Sequence, residues 1–197
     1  MVGDGVDAPL VVGIGGSMNA TSTTQRLLDH ALSLVRSRGA RTLAFGGDEL
    51  AALPAFVPEG LTPGATAAPL VGAVCAADAV IIATPGYHGG MSGLVKNGLD
   101  HLELLRDDVR PYLDGRAVGV IVAAAGWQAC GTTLVSVRSA VHALRGWPTP
   151  FGVTVNSAEQ RPDSGGGFDA RVTGALEILA TQVMDFVSWR AAAHRLD

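Results

Sequence analysis

Asp78–Thr84 reads DAVIIAT, and its interior AVIIA places no polar residue at alternate positions. The run is too short for a stable helix, and a strand with one wet face would alternate. It therefore reads as a strand buried on both faces, as in a parallel sheet covered by helices. Leu10–Gly15 and Arg116–Ala124 carry the same signature, and Arg41–Phe45 and Pro150–Val155 complete the set.

Helical periodicity fills the gaps. Thr23–Arg38 places Leu27, Leu28, Ala31, Leu34 and Val35 on one stripe and stops at Gly39. Ala67–Ala76, Ser92–Leu105 and Thr132–Arg145 read as further helices. Asp169–Ala192 is the last, with Val172, Leu176, Leu179, Val183, Phe186 and Val187 on its apolar side. The Gly- and Pro-rich stretches 46–64, 85–90, 125–131 and 156–167 read as loops. Five buried strands alternating with helices predict an α/β three-layer sandwich around a five-stranded parallel sheet. Right-handed crossovers leave the doubly wound order 2-1-3-4-5 as the economical topology. Residues 10–197 then form a single domain, and 1–9 read as a flexible leader. Ligands in such sheets bind beyond the carboxyl ends of the strands, at the switch point between strands 1 and 3.

Composition narrows the function classes. The formal net charge of the 197 residues is −4, and no Lys or Arg precedes Arg26. Nucleic-acid binding needs clustered basic residues, and a secretory signal begins with them. No apolar run approaches the roughly 20 residues of a membrane span. Cys75 and Cys130 lack metal-ligand spacing and are too few for a disulfide scaffold. A cytoplasmic protein is the expectation.

Three loops lie at the expected ligand end. The first, Gly15–Thr24, follows a buried strand and opens a helix. Its amides and the helix dipole favour an anion, and six of its side chains carry a hydroxyl or amide. It is not a dinucleotide fingerprint, since Met18 takes the third Gly position, and it lacks the Lys of a P-loop. A hydroxyl-rich loop without Lys suits a terminal phosphomonoester. A capping segment with no ligand is the competing reading, because Ser and Thr also cap helices.

The third-strand loop, Thr84–Gly93, clusters Pro85 with Gly86, Gly89 and Gly90, which lets backbone approach a flat ligand. Tyr87 and His88 can supply a ring face or a polar edge; an ordinary turn with a surface Tyr is the alternative. In the fourth-strand loop, Gly126 precedes Trp127, which can wall a pocket or simply pack. Cys130 has no visible base beside it and reads as inert. His30, His101, His142 and His194 lack metal spacing and read as structural or solvated.

These residues resemble the NAD(P)H-dependent FMN reductases of flavodoxin-like fold, a group that includes quinone, azo-dye and chromate reductases. Gly16, Ser17, Asn19, Ser22 and Thr24 are similar to the family's Gly-Ser-x-Arg-x-x-Ser-x-Thr, with Asn19 in the place of Arg. Asp48–Pro54 resembles its Asp-Leu-x-x-Leu-Pro. Thr84–Gly90 running into Leu94–Asp100 is similar to its Thr-Pro-Glu-Tyr-Asn-x-Ser and Leu-Lys-Asn-Ala-Leu-Asp-Trp, with Gly86, His88 and His101 as departures. The likeness spans about residues 10–155.

The resemblance implies FMN as cofactor and NAD(P)H as hydride donor. Ser17, Asn19, Ser22, Thr23 and Thr24 would hold the phosphate. Pro85, Gly86, Tyr87, His88, Gly89, Gly126 and Trp127 would embrace the isoalloxazine. No catalytic side chain and no metal is implied, because the flavin carries the chemistry. The acceptor would be a flavin, a quinone or a similar small molecule, and a flavin-dependent monooxygenase is a candidate partner. A homodimer is implied, and part of the Met91–Leu105 face, with Met91, Leu94, Val95, Leu99 and Leu102, is expected in its contact; intramolecular core is the competing reading for the leucines. A flavodoxin-type electron carrier and a flavoenzyme oxidising a specialised metabolite are the rival functions.

Overall fold

The computed structural model describes residues 8–18, 22–58, 64, 66–160, 162–163, 165 and 167–193. Its centre is a parallel sheet. β1 (Leu10–Gly15) lies between β2 (Arg41–Phe45) and β3 (Ala79–Tyr87), and β3 pairs in turn with β5 (Ala117–Ala124). The outer edge of β5 carries β6 (Trp147–Pro148) and β7 (Val153–Asn156), while β4 (Gly90–Met91) folds back antiparallel on β3. The path β2-β1-β3-β5-β6 is the expected doubly wound order, built from seven strands instead of five.

The two extra strands have identifiable causes. Between the pairs Ala117/Trp147 and Ile121/Val153 the edge carries two more residues than β5, so the fifth strand is split by a bulge. Pro148 and Pro150 flank this stretch and cannot donate ladder hydrogen bonds. The freed carbonyls of Thr149 and Pro150 accept from Arg138 Nη2 at 3.0 and 2.8 Å. At the other end of the sheet, the expected loop 85–90 is instead the continuation of β3 into a two-residue hairpin. Its central residues His88 and Gly89 have φ of 52° and 84°, the backbone of a type I′ turn.

Helices cover both faces. α1 (Thr23–Ser37) and α6 (Ala170–Ala193) lie on one; α2 (Gly47–Ala51), α3 (Ala68–Ala76), α4 (Gly93–Asp100) and α5 (Trp127–Ala143) lie on the other. Strand residues alternate between the two cores. Val12, Ile14, Val80, Ile82, Val118, Val120 and Val122 join Leu70, Leu99 and Val137; Val11, Ile81 and Ile121 join Leu28, Leu176 and Leu179. Each such buried aliphatic side chain contributes about 1.5–3 kcal/mol.

Three local differences from the sequence reading matter for the site. α2 forms inside the expected 46–64 loop, where the Glu49 carboxylate accepts from the Gly46 amide at 2.9 Å and caps the turn. α5 starts at Trp127 and not at Thr132, because Gly126, with φ of 134°, turns the chain directly from β5 into the helix. The third helix stops at Asp100 and continues as a 3-10 turn over His101–Leu105.

Where β5 begins, Arg116 is fully buried. Its guanidinium donates to the carbonyls of Ala77 (3.0 Å), Cys75 (2.6 Å), Tyr112 (3.2 Å) and Asp114 (3.2 Å). Burial, with Arg110 nearby, brings its pKa down to about 10, so the group remains charged at neutral pH. This cluster lies at the amino end of the sheet, away from the rim described next.

Candidate functional site

β1, β3 and β5 end at one rim, and the three loops singled out by sequence lead from it. The first is drawn tightly to the third. The Gly16 amide donates to the Ala83 carbonyl at 3.1 Å. A Cβ on Gly16 would stand 2.2 Å from Val95 Cγ2 and 2.6 Å from Ser92 Oγ, so only glycine lets β1 pass the start of α4. Ser92 is buried there as the cap of α4. Its Oγ accepts from the Val95 amide at 3.3 Å, and its own amide donates to Thr84 Oγ1 at 3.0 Å.

The chain then enters α1. Ser22 is the cap, and its Oγ accepts from the Gln25 amide at 3.1 Å. A hydroxyl that accepts still has its proton to donate. The first-turn amides of Thr23 and Thr24 have no acceptor within the helix. Ser17, Ser22 and Thr23 are half-buried at the rim, whereas Thr24 turns inward and is only 3% exposed. Asn19 lies outside the described residues. Beside the loop, between α1, α2 and the end of β2, is a cleft of about 340 Å³ bordered by Ser17 and Gln25. Its charged lining groups are Asp29, Asp48 and Glu49, all carboxylates. An anion at this helix start would have to be held by hydrogen bonds and the helix dipole, against a negative flank.

The hairpin stands next to this loop. Pro85 is buried within β3, and Gly86 faces protein, not open space: a Cβ there would meet Ala124 Cβ and Thr133 Oγ1 at 2.9 Å. The glycine at 86 thus serves the close packing of β3 against β5 and α5. Tyr87, His88 and Gly89 are exposed at the tip, Tyr87 by 59%. Thr133 Oγ1 donates to the Gly90 carbonyl at 3.4 Å, which leans the hairpin on α5.

Gly126 opens α5, and among the described residues nothing but its chain neighbours lies within 4 Å of where its Cβ would stand. Trp127 follows but turns toward the outer edge of the sheet. Its Nε1–H donates to Glu159 Oε2 at 3.2 Å, and the Arg171 guanidinium lies 5.8 Å from its ring centroid. Glu159 Oε1 accepts in turn from Asn156 Nδ2 at 2.7 Å. Trp127 also lines a cavity of about 250 Å³ shared with Phe151, Thr154, Gln160 and Arg171. None of these partners was singled out from sequence; they lie on other elements, and no local pattern marks them.

Two further residues act as braces. Asn97 donates to the Pro54 carbonyl at 2.9 Å and accepts from the Phe56 amide at 2.9 Å. His101 is buried, with Nε2 3.0 Å from the Pro54 carbonyl and its ring edge-on to Phe56. Both tie the segment after α2 to α4. Cys130 is 1% exposed, with Sγ 3.4 Å from the Val155 carbonyl, and burial pushes its pKa up, as expected of an inert thiol. Among the described residues no three His, Cys, Asp or Glu side chains converge as a metal site.

The Met91–Leu105 segment spends its apolar side internally. Val95, Leu99 and Leu102 are buried in the core, and Lys96 and Asp100 pair with each other on the surface at 2.6 Å. These buried side chains are not available to a second copy, because the core needs them.

Comparison with known proteins matches this architecture. A family model described as NADPH-dependent FMN reductase covers residues 9–160. An FMN-dependent NADPH-azoreductase of Staphylococcus aureus is 28% identical over 117 residues, which is 57% of this chain and 58% of that relative. The chain thus aligns with little more than half the length of that relative. Among solved structures, the flavoenzyme NAD(P)H:(acceptor) oxidoreductase FerB of Paracoccus denitrificans superposes with a TM-score of 0.71 at 18% identity, covering 94% of this chain and 98% of that one. A WrbA-like flavodoxin of Agrobacterium tumefaciens gives 0.64 at 16% identity, covering 93% and 99%. These likenesses show a flavodoxin-like fold.

Proposed function

The chain belongs to the NADPH-dependent FMN reductase family, and on that premise we propose that it is an FMN-dependent NAD(P)H oxidoreductase reducing a flavin, a quinone or a similar small acceptor. The observation that carries the reading is that the family match, residues 9–160, contains the entire rim: the first loop, the β3–β4 hairpin and Gly126–Trp127.

The residues present fit FMN. Ser22 can donate its hydroxyl proton to a phosphate oxygen while its Oγ holds the Gln25 amide. The amides of Thr23 and Thr24, and the Thr23 hydroxyl, offer further donors, and Ser17 borders them at the rim. A phosphate would be held there by hydrogen bonds and the helix dipole, without a lysine. Gly126, with open space beside it, and the exposed Tyr87–Gly89 tip leave room for a flat ring at the end of β3 and β5.

FMN, when bound, would supply the hydride chemistry between NAD(P)H and the acceptor. The protein's part is to bind, orient and shield. Ser92, Thr84 and Gly16 lock the strand ends against α4. Tyr87 and His88 border the face over which donor and acceptor take turns. No side chain of the rim is required to move a proton. Free Cys75 and Cys130 suit the reducing cytoplasm, where the protein would work as a homodimer.

The test is steady-state kinetics of the FMN-loaded protein with NADPH and a quinone. A shared site predicts parallel double-reciprocal lines. Intersecting lines would show two separate sites. Absence of NAD(P)H oxidation with every acceptor would replace this reading with the electron carrier or the metabolite oxidase.

A further inference from the structure

The cavity beside Trp127 lies outside the phosphate loop and the hairpin, between the outer edge of β7 and the first turns of α6. Its lining combines the Trp127 ring, Phe151 and Val172 with the polar groups of Thr154 and Gln160 and one charge, Arg171. Arg171 differs from the ion-paired Arg38 and Arg106. Among the described residues its guanidinium has no carboxylate within 4.0 Å, and its one contact of note is the Trp127 ring.

The nearest acid in sequence to this lining, Glu159, is already committed. Its two oxygens accept from Trp127 Nε1 and Asn156 Nδ2. Asn156 is itself buried, with its amide held by Gln160 Oε1 at 3.2 Å and its Oδ1 by the Ala158 amide at 3.2 Å. The indole is thus fixed from the buried end of β7 through Glu159. A fixed ring beside an uncommitted guanidinium is a built surface for a flat group bearing an oxyanion.

Position points the same way. Trp127 follows Gly126 at the end of β5, so the cavity adjoins the rim. Its size, about 250 Å³, falls below the roughly 300–1,000 Å³ of sites that engulf a whole drug-sized ligand. It admits one ring or one phosphate, carboxylate or sulfonate-bearing group, not a complete dinucleotide.

We propose that the Trp127–Arg171 cavity is an anion subsite that receives the oxyanion-bearing end of a substrate whose reacting part lies at the rim. This rests on the oxidoreductase reading. The shared chemistry is an oxyanion next to a flat ring. It has two sources: the extra phosphate that separates NADP from NAD, or an acid group on an aromatic acceptor. Arg171 then sets substrate preference by charge.

Calorimetric titration tests this without any hydride transfer. FMN-loaded wild type, Arg171→Gln and Arg171→Lys are each titrated with two matched pairs: NADP⁺ against NAD⁺, and naphthalene-2-sulfonate against 2-naphthol. Arg171 is exposed, so both variants should melt with wild type. Wild type should bind the anionic member of at least one pair about tenfold more tightly, as a charge-assisted hydrogen bond gives. Arg171→Gln should bring that ratio close to one, and Arg171→Lys should retain part of it. A response in the dinucleotide pair names the NADP phosphate as the ligand; a response in the naphthalene pair names the acceptor. Equal binding within both pairs by wild type, or a ratio that survives Arg171→Gln, overturns the subsite. Failure to oxidise NAD(P)H would count against the proposed function and leave these binding ratios readable.

Discussion

At Ser22 one hydroxyl can serve both the fold and the proposed phosphate site through different atoms. Its oxygen caps α1, and a hydroxyl that accepts still has a proton to donate. Aspartate at this position caps a helix as well as serine and favours the positive helix end. Ser22→Asp should therefore keep its melting temperature within a degree or two of wild type. Its carboxylate would face the phosphate, so FMN affinity should fall at least tenfold, about 1.4 kcal/mol. Unchanged titration curves would remove Ser22 from the phosphate site. His88 offers a similar separation. It sits at φ of 52°, which asparagine tolerates better than most residues in a type I′ turn. His88→Asn should fold at least as stably, bind FMN equally, and change the rate or order of preference among acceptors. If acceptor rates stay the same as well, the imidazole has no part in the reaction.

Elements are held in place by a few polar clamps, and Arg116 is the most enclosed. It joins the start of β5 to the end of α3 and to the turn before β5. Arg116→Met keeps the bulk but strands four carbonyls, and leaving buried acceptors unpaired costs about 1–3 kcal/mol each when water cannot reach them. Partial hydration should limit the loss to about 2–4 kcal/mol, read by denaturant unfolding, with FMN affinity unchanged in the folded protein. The buried strand runs were legible in sequence because AVIIA and its counterparts admit only a two-sided core. The split fifth strand was less legible: Pro148 and Pro150 forbid a continuous ladder, but where pairing resumes depends on Arg138 and Gln182 from two helices. The start of α5 was misread for a related reason. Residues 125–131, with Gly126 and Gly131 near their ends, look like a loop, and the helix begins early only because Gly126 accepts a positive φ.

For the whole molecule, the hydroxyl-rich first loop could be located in sequence because strand, glycine and cap follow one another. The surroundings of Trp127 could not, because Glu159 and Arg171 come from other elements and leave no spacing to read. Acid stability is another whole-chain property. The Asp108 carboxyl is held below its ordinary value of 3.8, first by the Arg110 amide donating at 2.9 Å. A carboxyl lowered in the fold stabilises above its unfolded pKa and loses that contribution as pH falls through the folded value. Asp108→Asn should therefore flatten the loss of stability below pH of about 4, measured as melting temperature against pH. An unchanged acid limb would assign that loss to other carboxyls. Under the proposed function, this protein passes electrons from a nicotinamide to FMN. The most direct measurement of that transfer is anaerobic mixing of the FMN-loaded protein with NADPH alone, and separately with NADH. At least one should bleach the bound flavin before any acceptor is added; flavin that stays oxidised for minutes with both donors would contradict the account.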